Sequence, residues 1–264
     1  MGILNVTPDS FSDGGAYLDP ERAVERGTEL VAEGADFIDI GGESSRPGSD
    51  PVDAKEEMRR VLPVVRGLAN ALSVPLSIDT CKSEVANAAL VEGAEIVNDI
   101  SAMSFDSRMA ATAARHRACV VLMHMKGNPK TMQVEPTYTD VVGEVSEFLQ
   151  ARAEGAEQSG IRSIILDPGI GFGKTLAHNL ELMRGLDRLA ELHFPILIGA
   201  SRKSFIGKLL DLPVGERLEG TAAAVTASIL RGANIVRVHD VRELKRVTVV
   251  ADALKVPSEP PSRL

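Results

Sequence analysis

The chain has 264 residues, 44% of them hydrophobic, and a formal net charge of −8, enough to bury a sizeable core as one large domain or two small ones. The acidic balance argues against a general nucleic-acid partner or an anionic membrane surface, since both select basic proteins. No apolar run reaches the length of a membrane span, no secretory signal opens the chain, and Cys81 and Cys119 show neither metal-type nor redox-type spacing, so a reducing, cytoplasmic setting is expected.

Strand-length apolar runs alternate with helical patterns along the whole chain. In order, strands are expected at "GILNVT" (2–7), "DFIDIGG" (36–42), "PLSIDT" (75–80), "EIVNDIS" (95–101), "ACVVLMHM" (118–125), "SIILDPG" (163–169), "PILIGAS" (195–201) and "NIVRVHDV" (234–241). After the first of them, "DPERA" reads as a helix start, and Ala23, Val24, Gly27, Leu30 and Val31 recur at helical spacing. The charge run "EEMRR" (56–60) reads as the solvated face of the second helix. A weak repeat runs through "EGADFIDIGG", "EGAEIVNDIS" and "RGANIVRVHD": a glycine helix stop, a small residue, then a buried strand. Eight such units predict a single-domain (β/α)8 TIM barrel over 1–256, with "PSEPPSRL" (257–264) as a disordered tail. A doubly wound open sheet is the alternative, and eight regular units favour closure.

Each predicted strand ends in polar residues: Asn5, Asp39, Asp79, Asn98 with Asp99, His124, Asp167, Ser201-Arg202-Lys203, and Arg237 with His239. In a barrel these ends converge on one face, where catalysis is found. A single strand-end aspartate often only caps the next helix; a polar end on all eight strands is hard to explain by capping. Asp79, Asn98 and Asp167 are acceptors suited to a heterocycle bearing N–H and NH2 groups. Arg237 and His239 alternate on the last strand and so share one side of it. With Lys203 and Arg46 they offer positive charge near the loops after strands 7 and 8, the usual phosphate region of such barrels. The expected ligand therefore has a donor-rich ring at one end and a phosphate at the other.

Three connections, 7–18, 41–51 and 126–139, exceed the usual length of about two to six residues and are candidate lids. Phe11, alone in a polar, glycine-flanked loop, is the ring to close over a ligand, unless it merely tucks against the rim. "DPGIGFGKT" (167–175) looks like a phosphate loop and is not one. Pro168 stands where a P-loop needs glycine, and Gly169, Gly171 and Gly173 alternate instead of following the dinucleotide pattern.

Taken together, "NVTPDSFSDGG", "IDIGGESSRPG", "SIDT", "VNDIS", "LMHMKGNPKTMQ", "LDPGIGFGK", "GASRKSFIG" and "RVHDV" resemble the dihydropteroate synthases of folate biosynthesis, in order and over nearly the whole chain. The family's barrel agrees with the fold expected above. The resemblance implies pterin-binding roles for Asp79, Asn98, Asp167 and Lys203. It implies diphosphate-binding roles for Asn5, Ser45, Arg46, Arg237 and His239, with Asn5 on Mg2+. Phe11 and Asp13 match the first mobile loop; Phe11, Pro47, Phe172 and Ser204 match the p-aminobenzoate pocket. Lys174 and Thr175 are then left as surface residues.

The implied reaction condenses 6-hydroxymethyl-7,8-dihydropterin diphosphate with p-aminobenzoate by an SN1-like path, with charge stabilisation by Mg2+, Arg46, Arg237 and His239 and no strong general base. A homodimer is expected from the family and from the small side chains of "GTAAAVTASILRGA" (220–233), as is competitive inhibition by sulfonamides. Ser45 replaces the threonine of the family's "ESTRPG" and keeps its hydroxyl. The chain also starts almost at strand 1, where relatives usually have a leading segment, so a less complete bottom cap is expected. The competing readings are a pterin-binding methyltransferase barrel and a non-catalytic pterin-binding paralogue. Intact "ASRKS" and "RVHDV" favour the synthase over both.

Overall fold

Eight parallel strands form where the apolar runs lie: β1 (Gly2–Asn5), β2 (Ile38–Gly41), β3 (Leu76–Asp79), β4 (Ile96–Asp99), β5 (Cys119–Met123), β6 (Ile164–Asp167), β7 (Leu197–Ile198) and β8 (Ile235–Val236). This computed structural model describes residues 1–7, 19–44 and 48–255; the tail expected at 257–264 lies outside them. The first six strands pair in chain order, and β7 pairs with β8. Single bridges, Leu166 to Ile196 and Gly2 to Val238, join the two sets at both edges. Across the last seam, the Ile3 amide donates to the Val238 carbonyl at 3.0 Å. No edge is left open, so the molecule is a (β/α)8 barrel and not an open sheet.

The helices are α1 (Pro20–Ala32), α2 (Ala54–Ala71), α3 (Ser83–Val91), α4 (Met109–His116), α5 (Val141–Gln158), α6 (Leu176–Arg184), α7 (Leu186–Ala190), α8 (Ser204–Leu210), α9 (Leu218–Leu230) and α10 (Val241–Leu254). "DPERA" starts α1 as expected: the Asp19 carboxylate accepts from the amides of Glu21 and Arg22, and Pro20 takes the first helical position. The repeat glycines have one shared backbone reason. Gly34, Gly93 and Gly232 sit at φ of 108°, 110° and 107°. The next amides, of Ala35, Ala94 and Ala233, turn back onto the carbonyls of Leu30, Ala89 and Ser228. Each unit thus stops its helix with a left-handed glycine before entering the next strand.

The charge run on α2 is only partly a solvated face. Glu56 pairs with Arg59 and Arg60, but Glu57 has 0% exposure and accepts from Lys82 Nζ at 2.6 Å. Glu57 lies in register with the buried Val61, Val64 and Leu68, on the stripe that faces the barrel. Burial pushes its carboxyl above the usual range, and Lys82 acts against that. Among the described residues no helix is long and apolar enough to cross a membrane. A cavity of about 750 Å³, lined by side chains including Phe37, Ile96, Cys119, Ile165 and Ile235, opens at the N-terminal ends of the strands. The polar strand ends gather at the opposite face.

Candidate active site

Parallel register sets the floor of the site. Asn5 is level with Gly41, Gly41 with Asp79, and Asp79 with Asn98; Asp39 lies two residues deeper on β2. Side chains alternate along a strand, so all of these point into the barrel, whereas Asp99 points out of it. Asp99 instead binds its own turn, accepting from the Ser101 amide and hydroxyl and from the Met103 amide. Arg237 reaches across from the exit of β8. Its Nε donates to Asp39 Oδ2 at 2.6 Å and its Nη2 to Asp79 Oδ2 at 2.9 Å. Asn98 Nδ2 donates to the same Asp39 oxygen at 3.0 Å.

Asp39 has 0% exposure, and a carboxylate at that depth needs such a cation. Burial and the charge of Asp39 push the Asp79 carboxyl up, and Arg237 holds it down. The resemblance implies a diphosphate role for Arg237; two of its N–H groups are committed to carboxylates, and among the described residues Nη1 is left for a ligand. Asp39 was read only as a strand end. Its spacing of two from Gly41 and its inward parity were the signal that it underlies the site. Asn98, expected as an acceptor, gives one amide N–H to Asp39, and among the described residues its oxygen is left to accept.

A second group surrounds Lys203. Its ammonium lies 4.1 Å above the centre of the Phe172 ring, and it feels the charges of Asp167, Arg237 and Asp79. Burial lowers the Lys203 pKa to about 8, and the Asp167 charge works against this. Asp167 is buried, and its Oδ1 accepts from the Gly169 amide at 2.7 Å. Burial raises its pKa, while that hydrogen bond and Lys203 oppose the rise. Phe172 packs with Met123 and Met132 in a small apolar cluster; Met132, from the loop after β5, was not singled out in the sequence. Ser204 opens α8 as an exposed neighbour of Lys203.

His239 does not supply the positive charge expected of it in the free protein. Its Nδ1 lies 3.0 Å from Ser201 Oγ, and that hydroxyl already accepts from the His239 amide at 3.2 Å. That hydroxyl can give its proton to Nδ1, an arrangement that places the ring proton on Nε2. Burial, with Arg202 and Arg237 nearby, lowers its pKa to about 4. His239 is a neutral N–H donor.

Lys174 also departs from expectation. It is 2% exposed instead of lying on the surface; Thr175 is exposed and caps α6. Close backbone approach explains the glycines here. A Cβ on Gly169 (φ 69°) would stand 1.9 Å from the His124 carbonyl oxygen, and one on Gly173 (φ 62°) 2.5 Å from that of Lys126. The long loop 126–139 is tied down: Gln133 Nε2 donates to the Gly171 carbonyl at 2.7 Å and the Tyr138 hydroxyl to the Gly173 carbonyl at 2.8 Å. In this conformation the loop walls the turn after β6. Phe11, Asp13, Ser45, Arg46 and Pro47 lie outside the described residues. Among the described residues no group of three or more His, Cys, Asp or Glu side chains could hold a metal ion; Asn5 stands half-buried at the end of β1.

The chain matches the pterin binding enzyme family over residues 1–239. The dihydropteroate synthase of Synechocystis sp. is 49% identical over 96% of this chain and 89% of its own length. Among solved structures, Xanthomonas albilineans dihydropteroate synthase with 4-aminobenzoic acid has a TM-score of 0.90 and 46% identity, covering 97% of this chain and 93% of that one. The Yersinia pestis enzyme with a sulfonamide drug complex has a TM-score of 0.91 and 42% identity, covering 96% and 93%. Together with the closed barrel, these matches give the assignment: the chain belongs to the dihydropteroate synthase family of pterin-binding enzymes.

Proposed function

We propose that this chain joins 6-hydroxymethyl-7,8-dihydropterin diphosphate to p-aminobenzoate, releasing diphosphate. The observation that carries the reading is the pairing of two groups at one barrel mouth. Asp79, Asn98 and Asp167 offer free acceptor oxygens beside Lys203, and Arg237 and His239 offer donors alongside. A pterin ring carries N–H and NH2 donors for the first group; a diphosphate needs the second.

The difficult step is breaking the C–O bond to a highly charged leaving group. Its electron pair goes to the diphosphate, where Arg237 Nη1 and the His239 Nε2–H donate to the oxygen gaining charge. The electron-rich pterin carries the positive charge left on the exocyclic carbon, with the carboxylates of Asp79 and Asp167 nearby. The arylamine lone pair then forms the C–N bond and the surplus amine proton leaves to solvent, so the path is SN1-like without a general base. Phe172 and Ser204 would flank the arylamine, and Ser45, Arg46, Phe11, Asp13 and Pro47 would complete the mouth from their loops. Mg2+ fits a site with so few protein ligands, because it keeps several waters and binds through substrate phosphates. Asn5 would hold it together with diphosphate oxygens, and when bound it neutralises leaving-group charge.

The test is diphosphate release in a mixture of the pterin diphosphate, p-aminobenzoate and Mg2+. Release should require all three, and a sulfonamide should inhibit it in competition with p-aminobenzoate. The drug places an aniline ring where the substrate's goes, and an apolar slot discriminates weakly between near-isosteres. Diphosphate release that ignores p-aminobenzoate, or inhibition that added p-aminobenzoate does not relieve, would defeat the assignment.

A homodimer joined through the outer helices fits the exposed side chains there. On α9, Ala223, Ala227 and Leu230 recur at helical spacing on the outer face; on α10, Val249, Val250 and Leu254 are 60–64% exposed. Small residues permit close helix approach and the apolar ones supply burial. The barrel mouth would stay open. Sedimentation at micromolar concentration should give twice the 28.1 kDa chain mass; a monomer would remove the proposal.

A further inference from the structure

The ammonium of Lys174 lies beneath the loop after β6, in a cradle of backbone oxygens. It donates to the carbonyls of Gly169 and Phe172, each at 3.0 Å, and stands 2.9 Å from His124 Nδ1. The His124 carbonyl is a longer fourth contact at 3.4 Å. An ammonium has three N–H groups, and three close acceptors surround this one. When Lys174 carries its proton, Nδ1 accepts, and the neutral His124 ring then holds its proton on Nε2. The ring is itself held edge-on by Phe148, at 5.0 Å between centres. Burial accounts for the direction of both titrations: the Lys174 pKa falls to about 7 and that of His124 to about 3.

Both carbonyls that Lys174 holds belong to residues that meet the site. Gly169 gives its amide to Asp167, and Phe172 gives its ring to Lys203. The same turn is fastened from above by Gln133. Three left-handed glycines leave this backbone short of conformational restraint of its own. Something must therefore fix it, and the buried ammonium is the central tie.

We infer that Lys174 is a positioning residue, whose ammonium joins the exits of β5 and β6 and so sets the Phe172 wall against which the arylamine substrate binds. The inference rests on the reading of Phe172 as part of the p-aminobenzoate pocket. Lys174 is almost wholly buried beneath the turn and acts through the carbonyls it holds. Methionine at this position would keep the length of the stem and leave two carbonyls and one imidazole nitrogen without a donor. The turn would then relax, and the wall with it.

The experiment compares Lys174→Met, Phe172→Ala and the unaltered protein in steady-state kinetics, varying each substrate separately. Lys174→Met should raise the KM for p-aminobenzoate at least tenfold while kcat and the KM for the pterin diphosphate change less than threefold. A general loss of structure would lower kcat and disturb both KM values together, and that result would overturn the positioning role. Phe172→Ala separates the two layers of argument. If it leaves the arylamine KM unchanged, the pocket reading fails. If it raises that KM but Lys174→Met does not, the inference about Lys174 fails alone. Should Lys174→Met not fold, Lys174→Gln takes its place, since an amide offers two N–H groups, without charge, for three acceptors. A smaller rise in the same KM is then expected, and an arylamine KM equal to that of the unaltered protein overturns the inference.

Discussion

Arg237→Ala should lower turnover about 100-fold or more, the usual loss when one preorganised donor to a developing negative charge is removed. The contacts of Arg237 add a second effect that its strand-end position alone does not suggest. The guanidinium is the cation that accompanies Asp39 and Asp79 in the barrel, and Asp39 is wholly buried. Removing one partner of a buried pair costs about 3–5 kcal/mol because the remaining charge is stranded. For a chain of this size that is a fall in Tm on the order of 10 °C.

The sign of the pH dependence follows from Asp79. Burial and Asp39 already raise its pKa above the unfolded value, and Arg237 opposes them. Without the arginine the carboxyl holds its proton at still higher pH. An acid whose folded pKa is raised destabilises the fold at high pH, and this penalty is relieved as pH falls toward the unfolded value. The variant should therefore regain Tm relative to the unaltered protein between pH 8 and 5. Adding Asp39→Asn should restore much of the Tm at pH 8 and none of the turnover. If Arg237→Ala is fully active, the leaving-group role is wrong; if its Tm is unchanged at pH 8, the buried cluster is not held as described.

This cluster also marks the boundary of what the sequence could reveal. Strand runs, the "DPERA" helix start and the repeat glycines Gly34, Gly93 and Gly232 were legible because each is decided by local chemistry: alternation, capping, or a left-handed backbone. The convergence of Asn5, Asp79, Asn98 and Asp167 followed from strand ends once a barrel was assumed. Glu57 and Lys174 differ from expectation for one shared reason, and the partner of Asp39 was hidden by the same distance in sequence. A charged side chain is placed on the surface by default, and each of these is buried only because a partner distant in sequence meets it. Asp39 and Arg237 are 198 residues apart, Glu57 and Lys82 25, and Lys174 and His124 50. Periodicity could have caught Glu57, which shares a stripe with Val61 and Val64. No local pattern marks Lys174. The charge of His239 differs from expectation for a related reason: a strand-end histidine in a phosphate region suggests a cation, whereas burial and the nearby charges of Arg202 and Arg237 lower its pKa and keep it neutral.

Asp167→Asn should weaken the binding of a pterin analogue by about 1–3 kcal/mol, roughly 5- to 150-fold in Kd. The substitution is nearly isosteric, and the amide oxygen can still accept from the Gly169 amide, so the turn after β6 keeps its anchor. What changes is the other oxygen. It becomes an NH2 group facing the ring N–H donors, and two donors then oppose each other in a buried setting where neither can turn to water. Lys203 is affected as well. Its pKa, lowered to about 8 by burial, is held up by the Asp167 charge. Without that carboxylate the pKa falls further, so at pH 8 a larger fraction of Lys203 is uncharged in the variant than in the unaltered protein. The loss of affinity should accordingly be greater at pH 8 than at pH 6.5. Calorimetric titration at the two pH values measures both effects. Unchanged affinity would reduce Asp167 to an anchor for Gly169, and an equal loss at both pH values would separate it from Lys203.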